Sequence, residues 1–172
     1  LDECKKLKLE SIPLLQTIGH CEYVLKHPEY RALAEQEDDW RQYCPLKAQV
    51  AAFLKRWIAE YLELFSDVQR FHIGADEAWI LGSCPECKTY VQQHSLSELY
   101  IHYINQIIEP ITARGLTPAL WGDMVLSHPE ALSQLSRQVM IFDWMYGIYR
   151  GNGRVWIWGE GMREGETLSA AA

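Results

Sequence analysis

The sequence lacks the features of several common protein classes. Its lysine and arginine residues are scattered, and a formal net charge of −7 leaves no basic stripe for nucleic acid to bind. It has no apolar run near the ~18 residues of a membrane helix and no charged-then-apolar leader, so we expect neither a membrane span nor a secretory signal. No Gly-rich phosphate loop follows a predicted strand, which argues against a nucleotide-binding sheet. We therefore expect no nucleic-acid partner, no membrane partner and no cofactor.

The cysteines are odd in number, which is unusual for a disulfide framework. They are Cys4, Cys21, Cys44, Cys84 and Cys87. In a chain of this length they favour a reducing, intracellular setting, and we expect a cytoplasmic protein. Cys84-Pro-Glu-Cys87 has the spacing of zinc ligands, but no second such pair accompanies it. Free thiols are therefore favoured and no metal is expected, while a metal or redox role or a local disulfide stays open.

Apolar segments of the chain alternate between strand-like and helix-like patterns. Strands are predicted over 11–17, 68–74, 116–121 and 138–144, with a fifth over 154–158, and helices over 28–36, 47–66, 95–114 and 129–136. This alternation predicts a parallel α/β architecture. The continuously apolar run 138–142 predicts a strand that is buried on both faces.

The two longest predicted helices carry apolar stripes at helical spacing. The first stripe comprises Val50, Phe53, Leu54, Trp57, Ile58, Tyr61, Leu62 and Phe65, and the second comprises Leu99, Tyr103, Ile104, Ile107, Ile108 and Ile111. Ser95 and Glu98 match a capping box at the start of the second helix, and Gly115 is a natural stop. Pro110 predicts a kink or an earlier end.

Chemically distinctive side chains stand where the predicted strands end. They are His20, Glu22, Asp76, Glu77, Trp121, Asp123, Asp143, Trp144 and Tyr146. In (β/α)₈ (TIM) barrels the active site lies at the C-terminal strand ends, with contributions from several strands. A whole barrel takes roughly 250 residues. We therefore expect residues 1–172 to form one partial catalytic barrel domain, about strands three to six or seven, with its open edges covered by further sequence or by a homo-oligomer.

The most informative segment is Phe71-His-Ile-Gly-Ala-Asp-Glu77, an apolar strand that ends in two adjacent carboxylates. Because the chain turns at a strand end, both carboxylates can reach one pocket. Two close carboxylates repel each other, so one can serve as an acid while the other stays ionised. A solvated pair at a helix start is the alternative that the residues alone leave open.

This segment resembles the His-x-Gly-Gly-Asp-Glu motif of family 20 glycoside hydrolases, the β-N-acetylhexosaminidases. The stretches 13–20 and 120–124 are similar to the strand ends on either side of that motif, so the resemblance runs in order over about residues 11–147. Gly82-x-Cys-x-x-Cys87 and the phrase Gln-Thr-Ile-Gly-His-x-Glu are closest to the hexosaminidase D-like branch. Ordered coverage makes the resemblance more specific than a six-residue motif.

The resemblance implies an exo-acting enzyme that removes terminal β-linked GalNAc or GlcNAc from glycans with retention. In such enzymes the substrate's own 2-acetamido oxygen attacks the anomeric carbon and forms an oxazolinium ion. Glu77 would be the general acid and then the base, and Asp76 would hold the acetamido N–H. Tyr146 would donate to the acetamido oxygen, while Trp121 and Trp144 would wall the pocket.

Other positions follow the family pattern less closely. His72 belongs to the motif and is expected to support the site, and His20 resembles the His that ends the preceding strand. Many family members place an Asp four residues before that His, where this chain has Gln16, so we expect the pairing to be absent or rebuilt through Glu22. Asp123 is interpreted as a ligand for a sugar hydroxyl or, as an alternative, as a helix cap or salt-bridge partner.

Two other functions stay open. One is an inactive, carbohydrate-binding remnant of the same fold, which would keep the aromatic wall. The other is a metal- or redox-dependent α/β protein built around Cys84 and Cys87.

Overall fold

The computed structural model describes residues 2–144 and, for backbone only, 155–157 and 161–163. The strands within these ranges are β1 (Ala34–Gln36), β2 (Asp39–Tyr43), β3 (Arg70–His72), β4 (Thr117–Trp121), β5 (Met140–Phe142), β6 (Val155–Ile157) and β7 (Gly161–Arg163). The α-helices are α1 (Asp2–Lys6), α2 (Glu22–Leu25), α3 (Ala48–Leu64), α4 (Pro85–Gln93), α5 (Leu96–Thr112) and α6 (Asp123–Leu126).

A parallel sheet in the order β3-β4-β5 carries the strand ends of interest. The segment 13–17 continues it on the outer side of β3 and runs parallel to it through a bridge between Leu14 and His72. There the Leu15 N–H donates to the His72 carbonyl at 2.9 Å. The predicted parallel α/β architecture is confirmed, because each described crossover returns the chain to a parallel neighbour.

Helices α3 and α5 pack against the sheet and supply most of the core. All six residues of the predicted α5 stripe are buried, and so are Val50, Phe53, Leu54 and Ile58 of α3. Ser95 caps α5 by accepting a hydrogen bond from the Glu98 N–H at 3.0 Å, as the sequence predicts. Pro110 does not end the helix early: it lies in the last turn of α5. None of the helices in the described part is both long and apolar enough to cross a membrane.

Residues 28–36 do not form the predicted α-helix. Pro28–Leu33 is a 3₁₀ helix, and the chain then becomes extended in β1, which pairs antiparallel with β2 as a hairpin. Tertiary hydrogen bonds override the local preference, because the Cys44 N–H donates to the Leu33 carbonyl and the Tyr43 N–H to the Ile18 carbonyl, each at 2.9 Å. The predicted helix over 129–136 is likewise 3₁₀, over Pro129–Gln134.

Of two predictions for the C-terminal strands, one is confirmed and one is wrong. The predicted fifth strand is confirmed as a strand by β6, which pairs antiparallel with β7 in a separate ribbon and is not the next strand of the parallel sheet. Ile141 of β5 is 42% exposed, so this strand is not buried on both faces. The reason is its position: β5 is the last strand of the parallel sheet among the described residues, and nothing described covers its far side.

Candidate active site

The predicted catalytic and aromatic residues meet at one end of the parallel sheet. A pocket there is lined by Asp76 and Glu77 after β3, Trp121 at the end of β4, and Trp144 after β5. These four residues are up to 68 positions apart in sequence, since the numbers run from 76 to 144. They come together because the C-terminal ends of neighbouring parallel strands lie side by side.

The backbone between β3 and Glu77 is held in an unusual conformation. Gly74, Ala75 and Glu77 all have positive φ, at 67°, 71° and 49°. Ala75 stands where the family motif has glycine, so this chain carries a left-handed alanine at a cost of about 1–2 kcal/mol. Such strain persists only where surrounding contacts enforce it, and it concentrates at functional sites.

Two glycines allow the segment 13–20 to pack closely on this turn. A Cβ on Gly19 would lie 2.1 Å from the Asp76 carbonyl oxygen. A Cβ on Gly74 would lie 1.8 Å from the Gln16 Oε1 atom. Gln16 therefore fills the space beside Gly74, at the position where many family members place an aspartate.

His20 contacts both carboxylates of the pair. Its Nε2 atom is 3.3 Å from Asp76 Oδ2 and 3.2 Å from Glu77 Oε2. The acidic partners of His20 are therefore Asp76 and Glu77 themselves, whereas the sequence suggested Glu22. A single imidazole that bridges two carboxylates can hold them apart at a fixed separation and donate to either one.

Asp123 lies beneath the pocket and is only 3% exposed. Its Oδ2 atom accepts a hydrogen bond from the Glu77 N–H at 2.9 Å, and its Oδ1 atom accepts from the Trp144 Nε1–H at 3.4 Å. Burial raises the pKa of this carboxyl, and the hydrogen bond from Glu77 opposes that shift. With both oxygens engaged, Asp123 fixes Glu77 and Trp144, which is a positioning role that neither predicted reading described.

His72 lies behind the pocket wall. It is 3% exposed, its ring centroid is 4.4 Å from that of Trp121, and its Nδ1 accepts from the Gly74 N–H at 3.0 Å. Burial lowers the pKa of His72 to about 4, so the ring is neutral near pH 7. The buried ring packs against Trp121 and accepts from the turn, and a supporting role for His72 in the site stays a prediction.

Helix α5 holds the strand ends from below. The Tyr100 hydroxyl donates to the Ala75 carbonyl at 2.9 Å, and the Tyr103 hydroxyl donates to the Thr17 carbonyl. Thr17 in turn donates through Oγ1 to the Ile73 carbonyl at 2.8 Å. The sequence predicted Tyr103 only as a core residue and did not predict the hydrogen bonds of Tyr100 and Tyr103. A tyrosine within an otherwise aliphatic stripe could have indicated such a bond, because buried tyrosine hydroxyls usually have hydrogen-bond partners.

Tyr146, the predicted donor to the acetamido oxygen, lies outside the described residues.

A cluster of four potential metal ligands lies away from the pocket. It comprises Glu35, Cys44, Cys84 and Cys87, whose ligand atoms all lie within 4.8 Å of one another. Sequence reasoning saw only the Cys84–Cys87 pair, because Glu35 and Cys44 are distant in sequence.

A family model agrees with this geometry. The model described as "Glycosyl hydrolase family 20, catalytic domain" matches residues 9–155. The chain belongs to glycosyl hydrolase family 20. The matched range contains every described strand-end residue of the pocket, including the family 20 carboxylate pair Asp76–Glu77.

Curated family 20 relatives are similar over much of the chain. Hexosaminidase D of Bos taurus is 30% identical over 180 aligned residues, which cover 93% of this chain and 52% of the relative. Hexosaminidase D of Homo sapiens is 35% identical over 127 residues, which cover 72% of this chain and 26% of the relative. The chain thus spans about half or less of the length of these relatives.

Solved structures of family 20 type share the fold at low sequence identity. A β-N-acetylhexosaminidase from Bacteroides fragilis NCTC 9343 aligns with a TM-score of 0.64 at 20% identity, over 83% of this chain and 31% of that one. The pneumococcal virulence factor StrH aligns with a TM-score of 0.69 at 17% identity, over 99% of this chain and 39% of that one. These likenesses support the α/β fold.

Proposed function

We propose that this chain carries the catalytic pair of an exo-acting β-N-acetylhexosaminidase that removes terminal GalNAc or GlcNAc from glycans. The observation that carries the proposal is the convergence of Asp76, Glu77, Trp121 and Trp144 on one pocket. Two carboxylates beside two indole faces suit a sugar, because indoles stack on the apolar faces of pyranose rings while carboxylates take its polar groups.

In the proposed reaction Glu77 is the general acid and base. Its side chain is 29% exposed, against 14% for Asp76, so Glu77 is the more accessible of the two to the glycosidic oxygen. Glu77 would protonate the leaving oxygen and later accept a proton from the attacking water. The hydrogen bond from its N–H to Asp123 fixes the backbone from which it acts.

Asp76 has the complementary task in a substrate-assisted, retaining mechanism. It would accept the acetamido N–H and stabilise the positive charge of the oxazolinium ion, while Tyr146 would donate to the acetamido oxygen. The substrate supplies the nucleophile, so the protein needs none. His20 holds the two carboxylates, and His72 and Asp123 position the turn and the tryptophans that wall the pocket.

The parallel sheet fits a larger architecture. We place it in a (β/α)₈ barrel as about strands three to six or seven, within a single catalytic domain over 1–172 that is partial. The exposed Ile141 on β5 and Leu14 beside β3 lie at its two edges, where further chain or a second copy would pack. The free cysteines support an intracellular, cytoplasmic setting.

The experiment compares hydrolysis of chromogenic β-GlcNAc and β-GalNAc glycosides by the full-length protein and by its Glu77→Gln variant. We expect kcat to fall about 10²-fold or more, because a general acid contributes about 10²- to 10⁴-fold. Glu63→Gln is the matched control, since Glu63 is exposed on α3 away from the pocket.

The outcomes separate the enzyme from an inactive remnant. Hydrolysis that survives in Glu77→Gln at the wild-type rate would remove Glu77 from the mechanism. A full-length protein that binds N-acetylhexosamine but cleaves neither glycoside would establish the carbohydrate-binding remnant instead.

A further inference from the structure

Three buried cysteines and one buried glutamate form a cluster that the proposed hydrolysis does not use. Glu35 comes from β1, Cys44 follows β2, and Cys84 and Cys87 flank the start of α4. Glu35 is 2% exposed, Cys44 and Cys87 are 0% exposed, and Cys84 is 7% exposed. Three separate segments therefore bring four side chains that bind soft or borderline metal ions to one enclosed point.

The separations within the cluster match a tetrahedral zinc site. Cys44 Sγ lies 3.7 Å from Cys84 Sγ and 3.6 Å from Cys87 Sγ, and Cys87 Sγ lies 3.5 Å from Glu35 Oε2. With Zn–S near 2.3 Å and Zn–O near 2.0 Å, tetrahedral geometry requires roughly 3.8 Å between sulfurs and roughly 3.5 Å between sulfur and oxygen. A disulfide needs about 2.05 Å between sulfurs, so these sulfurs form no disulfide, and their spacing suits ligands of one shared ion.

Backbone hydrogen bonds orient two of the four groups, Glu35 and Cys84. Glu35 Oε1 accepts from the Ser83 N–H at 2.8 Å and from the Cys84 N–H at 3.0 Å, which leaves Oε2 directed toward Cys87. The Cys87 N–H donates to Cys84 Sγ at 3.3 Å. Backbone donors to the distal carboxylate oxygen and to a sulfur are the outer contacts that fix metal ligands and spread their negative charge.

Within the described part of the chain, the Glu35 carboxylate forms no salt bridge within 4 Å. The ammonium of Lys47, which lines the same cavity as Glu35, donates to the carbonyls of Ala32 and Ala34. A buried, unpaired carboxylate is costly. A divalent cation that prefers thiolates would supply the missing charge, and Ca²⁺ or Mg²⁺ would not, because they select oxygen ligands.

We propose that Cys44, Cys84, Cys87 and Glu35 bind one zinc ion as a structural site. All four positions are filled by protein groups, so no position is left open for substrate or water. The ion would tie the β1–β2 hairpin to the loop 78–84, which follows Glu77 directly. Gln42 of that hairpin already accepts a hydrogen bond from the Ile80 N–H at 3.2 Å, so the ion reinforces a contact that supports the pocket.

The test measures metal content and does not depend on hydrolysis. The full-length protein is purified without chelator or metal-affinity resin, loaded with Zn²⁺, freed of loose metal and assayed by mass spectrometry. We expect about one zinc per chain, and about a tenfold lower content in Cys44→Ser and in Glu35→Gln. Glu35→Gln is informative because an amide keeps an oxygen for the two backbone N–H groups but is a poor zinc ligand.

Cys21→Ser is the matched control, since Cys21 is a buried cysteine outside the cluster. Its zinc content should equal that of the wild type. Because a cluster variant can fail to fold, Co²⁺ is also titrated into the metal-free wild type, where a tetrahedral thiolate site gives sulfur-to-cobalt charge-transfer absorption. A wild type that retains no zinc and gives no such absorption would overturn the proposal, as would equal zinc loss in Cys21→Ser and Cys44→Ser.

Discussion

At the scale of single residues, the site depends on atoms that are missing as much as on atoms that are present. Gly19 has no Cβ, and that absence lets segment 13–20 rest on the backbone of Asp76. His20, the next residue, can then reach both carboxylates. A methyl group added at Gly19 would therefore disturb the positions of Asp76 and Glu77.

We expect Gly19→Ala to destabilise the protein by about 1–3 kcal/mol, as overpacking does, and to lower kcat/KM. The clash is with the backbone oxygen of Asp76, which no side-chain rotation relieves. Denaturant unfolding and glycoside hydrolysis check both effects. Gly115→Ala is the control: its Cβ would meet nothing within 4 Å, so only the strain of a φ of 74° remains. Equal effects of the two substitutions on kcat/KM would contradict the prediction.

His72 makes stability depend on pH. Its neutral ring is buried, and its folded-state pKa is about 4, below the ~6.5 of a free histidine. Between those values the unfolded chain takes up a proton that the folded chain does not, so stability falls as pH drops from about 6.5 to about 4.

At about pH 4.5, proton uptake by His72 in the unfolded chain lowers the free energy of unfolding by about 2–3 kcal/mol, because each pKa unit corresponds to ~1.4 kcal/mol. His72→Asn keeps an acceptor for the Gly74 N–H but cannot titrate. Urea unfolding at neutral pH and at about pH 4.5 should therefore show a smaller loss in the variant. Parallel pH profiles for the two proteins would argue against a buried neutral His72.

At the scale of elements, α5 acts as both core and anchor. Its aliphatic residues fill the interior, while Tyr100 and Tyr103 donate hydrogen bonds to the ends of the strand segments above them. The turn that carries Asp76 and Glu77 is thereby attached to a helix whose core-facing residues are buried.

Tyr100→Phe should lower the free energy of unfolding by about 1–3 kcal/mol, because the buried Ala75 carbonyl loses its donor. The left-handed Ala75 would also be held less firmly, so kcat should fall. Tyr61→Phe is the control, since the Tyr61 ring packs on Phe71 and its hydroxyl has no hydrogen bond among the described residues. A loss of stability as large in Tyr61→Phe would mean that removing any tyrosine hydroxyl has this effect, and that the hydrogen bond to Ala75 is not its cause.

At the scale of the whole molecule, the sheet has two unfinished edges. Ile141 on β5 is 42% exposed, and Leu14, which is bridged to His72 of β3, is 39% exposed. Uncovered strand edges favour pairing with another strand. We interpret these residues as surfaces for the remaining barrel or for a second copy.

The 172-residue chain on its own is therefore expected to associate at micromolar concentration, and Ile141→Lys should reduce that association several-fold. A charged side chain on an edge strand is a common barrier to strand pairing. Light scattering over a concentration series measures the effect. Leu64→Lys is the control, because Leu64 is 72% exposed but lies at the end of α3. If both substitutions act equally, general solubility is the cause.

The sequence by itself determined what depends on local pattern. The helix stripes, the cap at Ser95, the positions of the parallel strands and the Asp76–Glu77 motif were all readable, because periodicity and motif spacing are properties of short segments. The family assignment rested on the same residues and was confirmed by the family model.

Tertiary structure alone decided what depends on contacts between distant segments. It turned 34–36 into a strand, gave His20 two carboxylate partners, and put Asp123 beneath Glu77. It also joined Glu35 and Cys44 to the Cys84–Cys87 pair, across at least 40 sequence positions from Cys44 to Cys84. Such groupings follow from how strands and loops pack in space, and one sequence without its fold carries no direct signal of them.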